Sequence, residues 1–296
     1  MTNPITLTHL TLIRIHGDDS AQFLQGQLTN DVHIGEDQWQ FTGYCNPKGR
    51  LLGVFQLWRT EQAFFILMEA SLAARLLKRL TMYVLRSDVK IDALTAAKIT
   101  GHILDTTPNT AQPGAHMVET VSATRHRLWY TGRHIDVDID GSAPTTAQDA
   151  LLHTWLAADI AEGLPRVTDT TTEQFVPQMI NLDALNGINF KKGCYTGQEI
   201  VARMHYLGKL KQRMFLCKLS TTSSVIAPGD KVYANNDDAE PGPQTGTIVS
   251  AIPGYNYLLA VFRIEQLDGN HTLIDGTSMS VVADQPYLLP AARQKP

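Results

Sequence analysis

Residues 191–213 read KKGCYTGQEIVARMHYLGKLKQR. Within them Thr196-Gly197-Gln198-Glu199 fits an S/T-x-x-E capping box, in which the Thr hydroxyl accepts from the backbone N–H of Glu199 and the carboxylate reaches back to the cap. Tyr195 and Ile200 stand at the spacing of a hydrophobic staple. Ile200, Met204 and Leu207 recur on one helical face, and Gly208 supplies an end. The pattern predicts a helix opening at Thr196, with Cys194 two residues before the cap, beside Lys192 and near the positive end of the helix dipole. Such a setting favours a thiolate. Gly193 carries no side chain and leaves room for a ligand to approach the backbone. The alternative is that Cys194 packs as a small buried hydrophobe. Cys45 and Cys217 have strand neighbours and read as buried.

Charge sharpens the contrast with the rest of the chain. The 296 residues carry a formal net charge of -4. In 191–213, Lys191, Lys192, Arg203, Lys209, Lys211 and Arg213 stand against Glu199, a net +5, so the remainder carries -9. A basic segment on an acidic body suits a local anionic partner, with a solvated helix face as the alternative. Overall acidity and few aromatics in the segment argue against direct nucleic-acid binding. Three cysteines without C-x-x-C spacing predict neither a disulfide framework nor a zinc or iron–sulfur site, so no metal is expected from them. The first residues lack a signal-peptide pattern, and apolar runs such as AFFILM (63–68) are too short to span a bilayer. A cytoplasmic protein with no membrane partner is expected.

Outward from this stretch, LTLIRIH (10–16) alternates as a strand, and Gly17-Asp18-Asp19 reads as a turn and cap for a helix over SAQFLQGQL. FTGYCNPKGRLLGVFQLW (41–58) reads as a hairpin turning at Asn46-Pro47-Lys48-Gly49. AFFILM is a further strand. Ser71 is placed to cap a helix whose Leu72, Leu76, Leu80 and Tyr83 form a core-facing stripe. Several short strands are expected over 98–138, and a helix over about 147–161 ending at Gly163 and Pro165. From about 214 the texture becomes all-β: RMFLCKLS, DKVYA, TGTIVSAI and YLLAVF, with NNDDAEPGPQ as an exposed loop. The expected organisation is a body over 1–212 and a small β-barrel over 213–296.

The run NFKKGCYTGQEIVAR (189–203) resembles the YgfZ family of folate-binding proteins, relatives of the aminomethyltransferase (T-protein) of the glycine cleavage system. The resemblance extends to IHGDDSAQFLQGQLTNDV (15–32), YCNPKGRLL (44–52), WLAADIAEGLPRV (155–167) and FVPQMINLDAL (175–185), and becomes diffuse in the β appendage. It implies an α+β body of T-protein-like lobes around a central folate channel, followed by a C-terminal β-barrel. It implies tetrahydrofolate or a related reduced folate as cofactor. The implied function is support of iron–sulfur assembly or repair and, through client iron–sulfur enzymes, of tRNA modification. Within the motif Lys192, Gly193, Cys194, Tyr195, Gly197, Gln198 and Glu199, the functional thiol is Cys194.

The family's folate-contacting tryptophan falls on Trp155, which on pattern alone reads rather as core. A second aromatic contact would fall at Leu10, where this sequence departs. Tyr195, Gln178, Asn181 and Arg203 are further candidates that also suit caps and loops. An aspartate that in the T-protein follows the N-P-x-G hairpin is missing from Leu52-Gly53-Val54, and a glutamate before the glycine turn appears as Ala161, with Glu162 displaced by one. Orthodox aminomethyl transfer, which needs a positioned acid or base, is therefore not expected. A folate-dependent one-carbon transferase on another acceptor is the alternative function.

Overall fold

The computed structural model describes residues 3–104, 116–130, 132–141, 149–208, 210–235 and 242–290, with the backbone alone at 149 and 150. Most of the loop expected over 235–244 and Lys209 lie outside the described residues. The chain divides into two compact units, each discontinuous in sequence. The first is Met1–Tyr44, Gly53–Trp155 and Gly187–Thr196; the second is Cys45–Leu52, Leu156–Asn186 and Gly197–Pro296.

The first unit is built from β1 (Ile5–Thr6), β2 (Leu10–His16), α1 (Ser20–Gln25), β3 (Trp39–Cys45), β4 (Leu51–Arg59), β5 (Phe64–Glu69), α2 (Ala73–Val84), β6 (Lys90–Ala93), β7 (Lys98–Ile103), β8 (Val118–Ser122), β9 (Arg125–Tyr130) and β10 (Arg133–Asp138). These make two five-stranded sheets, ordered β3-β4-β5-β2-β6 and β1-β7-β10-β9-β8. Every residue of β5 is buried, which is why five apolar residues run without alternation before Glu69. Its partner β2 buries Leu12, Ile13 and Ile15 and sets Leu12 opposite Leu67 and Ile13 opposite Ile66. Between the sheets Phe65 stacks on Trp58 (5.4 Å between ring centroids) and meets His126 of β9 (5.1 Å).

Two helix starts depart from the sequence reading. Ser71 does not cap α2: it lies in a 3-10 turn, Ala70–Leu72, and the helix opens after Leu72 with no side-chain cap. Asp19 flanks α1 without capping it, because its carboxylate accepts instead from the backbone N–H of Asp88 (2.7 Å). The α2 stripe is buried at Leu72, Leu76 and Leu80, whereas Tyr83 is exposed, the Arg79 guanidinium lying 5.5 Å from its ring.

In the second unit α3 (Asp149–Ala161), which begins in the first, ends where Gly163 takes φ +71. A 3-10 turn (Pro177–Ile180) and α4 (Gln198–Tyr206) follow. Then come β11 (Gln212–Leu219), β12 (Lys231–Ala234), β13 (Gln244–Ser250), β14 (Tyr257–Arg263), β15 (His271–Thr272) and β16 (Ser278–Val281). These six close into a barrel in the order β11-β14-β13-β12-β15-β16. Its core collects Cys217, Val232, Ile248, Leu258, Ala260, Phe262 and Met279. The four strands expected from sequence are present, and the short β15 and β16 complete the closure.

Candidate functional site

Cys194 sits on a loop, residues 187–196, stapled to the chain that follows α1. At its start the Thr29 hydroxyl donates to the Gly187 carbonyl (2.7 Å), and the Asn189 N–H donates to the Thr29 carbonyl (3.0 Å). The Asn189 side-chain carbonyl then accepts from the backbone N–H groups of Lys191 and Lys192 (2.8 and 3.0 Å), forming a tight turn. The Lys192 ammonium donates to the carbonyls of Leu28 (2.8 Å) and Asn30 (2.7 Å), and lies 5.4 Å from the centre of the Tyr195 ring. At the far end the Thr196 N–H donates to the Gly26 carbonyl (3.3 Å).

Between these ties Cys194 is exposed, while Cys45 and Cys217 are buried. Burial pushes both of those thiols far up from their ordinary range. Gly193 does not occupy the left-handed region, and a Cβ built on it would meet nothing within 4 Å. Neither a left-handed backbone nor a clash with an added Cβ requires a glycine there.

Lys192 corrects one expectation. Its side chain is buried, 9% exposed, and is committed to carbonyls of the loop's anchor. Burial holds its pKa down to about 8, partly offset by the Asp31 carboxylate. The basic segment as a whole is less of a patch than its sequence suggests. Arg213 is also buried, in a two-pronged pair with Asp183 (2.9 and 3.1 Å), and donates as well to the Asn181 side-chain oxygen (3.0 Å). Among the described cations of the stretch, Lys191, Arg203 and Lys211 face solvent.

The capping box is a second correction. The helix opens at Gln198 with Gly197 as its cap residue at φ +83, and no side chain caps it. A Cβ on Gly197 would run into the Asn46 carbonyl oxygen. The helix entrance is therefore set by close approach of bare backbone to the Asn46–Gly49 turn, and the Thr196 hydroxyl is not needed as a cap. Ile200 packs towards Gly49. Leu207, expected on the buried face, is 77% exposed, and Val201 is buried in its stead.

Trp155 is 2% exposed, with the Arg133 guanidinium 4.3 Å from its ring centre, Tyr130 edge-on at 6.3 Å, and Gly101 against the indole. Leu10 opens β2 opposite Glu69 and is half-buried. Gln178 and Asn181 are buried hydrogen-bonding residues of the second unit. Gln178 donates to the Val201 carbonyl (2.7 Å), and Asn181 donates to the carbonyl of Met214 (2.9 Å) and the Tyr287 hydroxyl (3.2 Å). Sequence reasoning missed the anchors Thr29, Asn30 and Asn189. Their signal lay in the polar core of QLTND and in Asn189 standing two residues before the lysine pair.

No family model matches the chain. Among curated proteins it is 30% identical over 313 residues to the tRNA-modifying protein YgfZ of Cronobacter sakazakii, covering 91% of each chain. It is 32% identical to the protein of that name from Aliivibrio fischeri, over 86% of this chain and 83% of that one. The chain belongs to the YgfZ family. An uncharacterized protein of Haemophilus influenzae is 31% identical over 85% of both chains. The glycine cleavage system aminomethyltransferase T from Bartonella henselae superposes with a TM-score of 0.65 over 98% of this chain and 87% of its own, at 15% identity. The mixed α+β, T-protein-like fold with a closed six-stranded C-terminal barrel is thus established for this YgfZ-family chain. No helix among the described residues is long and apolar enough to cross a membrane.

Proposed function

We propose that this chain binds a reduced folate, tetrahydrofolate or a close relative, and supports assembly or repair of iron–sulfur clusters in enzymes that modify tRNA, with Cys194 as its functional thiol. The observation that supports the reading is the exposed Cys194 on a loop tied down at both ends. The tRNA-modifying relatives support the tRNA context, and the likeness to an aminomethyltransferase fold supports the folate. Exposed Arg203 and Lys211 keep positive charge available to the anionic tail of a folate.

Chemistry on the folate itself is disfavoured by the β4 hairpin. Leu52-Gly53-Val54 holds no carboxylate, and a side chain at Gly53 would press on Phe55 and Leu76, so an acid cannot be accommodated at that residue without repacking. We expect no release of ammonia and methylene-tetrahydrofolate from aminomethylated carrier protein. Turnover comparable to an authentic T-protein would promote the transferase alternative. The direct test is complementation of a strain lacking its own family member, read as activity of a tRNA-thiolating iron–sulfur enzyme. Wild type should restore activity and Cys194→Ala should not, although the variant folds and binds folate. Full restoration by Cys194→Ala would overturn the role of the thiol.

A further inference from the structure

On the β1-β7-β10-β9-β8 sheet, distant in sequence from Cys194, His102 of β7 stands directly opposite His134 of β10, and Asp136 follows two residues along the same strand. Strand residues two apart share a face, so all three side chains project together. The His102 Nε2 lies 3.5 Å from one Asp136 oxygen and the His134 Nε2 3.7 Å from the other. One ligand atom from each residue falls within 4.8 Å of the others. We propose that His102, His134 and Asp136 form a binding site for a zinc-class divalent cation, with an open position facing the adjoining depression.

Four-coordinate zinc holds its ligands at about 2.0–2.1 Å, which places them about 3.3 Å from one another. The two separations run to different Asp136 oxygens, so with the carboxylate bidentate each closes by only a few tenths of an ångström, and with one oxygen shared one imidazole moves further. The two imidazoles are stacked, 4.6 Å apart and 14° from parallel. One of them must therefore turn about its Cβ–Cγ bond to aim at a shared ion, and that torsion is broad and soft. Two imidazoles and one carboxylate suit zinc, cobalt or nickel, whereas magnesium and calcium prefer all-oxygen sites.

Arg127 donates to both Asp136 oxygens, Nε at 2.6 Å and Nη2 at 3.1 Å. A carboxylate offers about four acceptor positions, so the guanidinium leaves two and fixes the group's orientation, as outer partners of metal ligands do. The same sheet shows what a plain ion-pair ladder looks like: Arg125 with Asp138 at 3.0 Å. The histidine pair is what sets the neighbouring rung apart. His102 and Asp136 border an open depression of about 350 Å³ that also holds Thr100 and Lys98, room for a water or a small anionic ligand on the ion.

The test uses the full chain, stripped with a chelator and titrated with Zn²⁺ against a chromophoric competitor, and with Co²⁺ read by visible absorption. One equivalent should bind, and cobalt should give weak nitrogen/oxygen ligand-field bands without a thiolate charge-transfer band. Cys194→Ala should leave this unchanged. His102→Ala and His134→Ala should each weaken binding by about tenfold or more, given that even outer partners are worth 10–100-fold. Asp136→Asn, nearly isosteric, should do likewise in a chain whose circular dichroism matches wild type. Millimolar or weaker binding to wild type, loss of binding in Cys194→Ala, or indifference to the folded Asp136→Asn variant would each overturn the site.

Discussion

Cys194, Cys45 and Cys217 differ in access before they differ in chemistry. With two thiols buried and held protonated, native alkylation near neutral pH should fall on Cys194, the others reacting only after denaturation. Peptide mass spectrometry of briefly labelled protein checks this; labelling of Cys45 at the rate of Cys194 would contradict the structure. Lys192 makes a second prediction, about pH. Its folded pKa of about 8 lies below the ordinary 10.5, so between those values the unfolded chain binds a proton that the folded chain does not. Stability from this residue therefore rises with pH across that window, by at most about 1.4 kcal/mol per unit. Lys192→Met removes the donor to Leu28 and Asn30, at a cost of about 1–3 kcal/mol, and the gap between wild type and variant should widen from pH 8 to 10. Urea melts over that range measure it; a gap that narrows would mean that the ammonium is not desolvated.

At the scale of the element, α4 separates two accounts of how a helix begins. A capping Thr196 would lose about 0.5–2 kcal/mol on change to Ala, but no side chain caps α4. Thr196→Ala should therefore be nearly neutral. Gly197→Ala should cost about 2 kcal/mol or more, since φ +83 alone costs a residue with a Cβ roughly 1–2 kcal/mol and the added methyl meets Asn46. Thermal melts of the two variants would reverse in order were the box the true start. The elements themselves were largely legible. β2, the β3–β4 hairpin, β5 and the first four barrel strands advertise themselves through local apolar pattern and turn residues. Strands β15 and β16, two and four residues long, do not, because pairing across the barrel rather than local composition makes them strands. The site divides the same way. Cys194 stood out through its neighbours in sequence, whereas the inward turn of Lys192 depends on carbonyls 164 and 162 residues away, which no local pattern reports.

For the whole molecule the folate proposal carries a thermal signature. A ligand that binds only the folded chain at 100 times its Kd stabilises it by about 2.7 kcal/mol, which raises Tm by roughly 4 °C in a protein of this size. Tetrahydrofolate should produce that shift equally in wild type and Cys194→Ala; no shift in either would remove folate from the function while leaving the thiol to be judged by complementation. The discontinuity of the units also governs how the protein is made. The ribosome delivers about 5–20 residues each second, so Leu28 and Asn30 wait roughly 8–30 s for the lysine that closes over them. Nor can the first unit finish as an N-terminal domain ahead of the rest, since residues 187–196 belong to it. Nascent chains stalled with residue 180 outside the exit tunnel should be cut by protease near 26–31, and those stalled past residue 230 should resist. Biosynthesis thus leaves the early anchor of the Cys194 loop without its lysine until about two-thirds of the polypeptide has emerged.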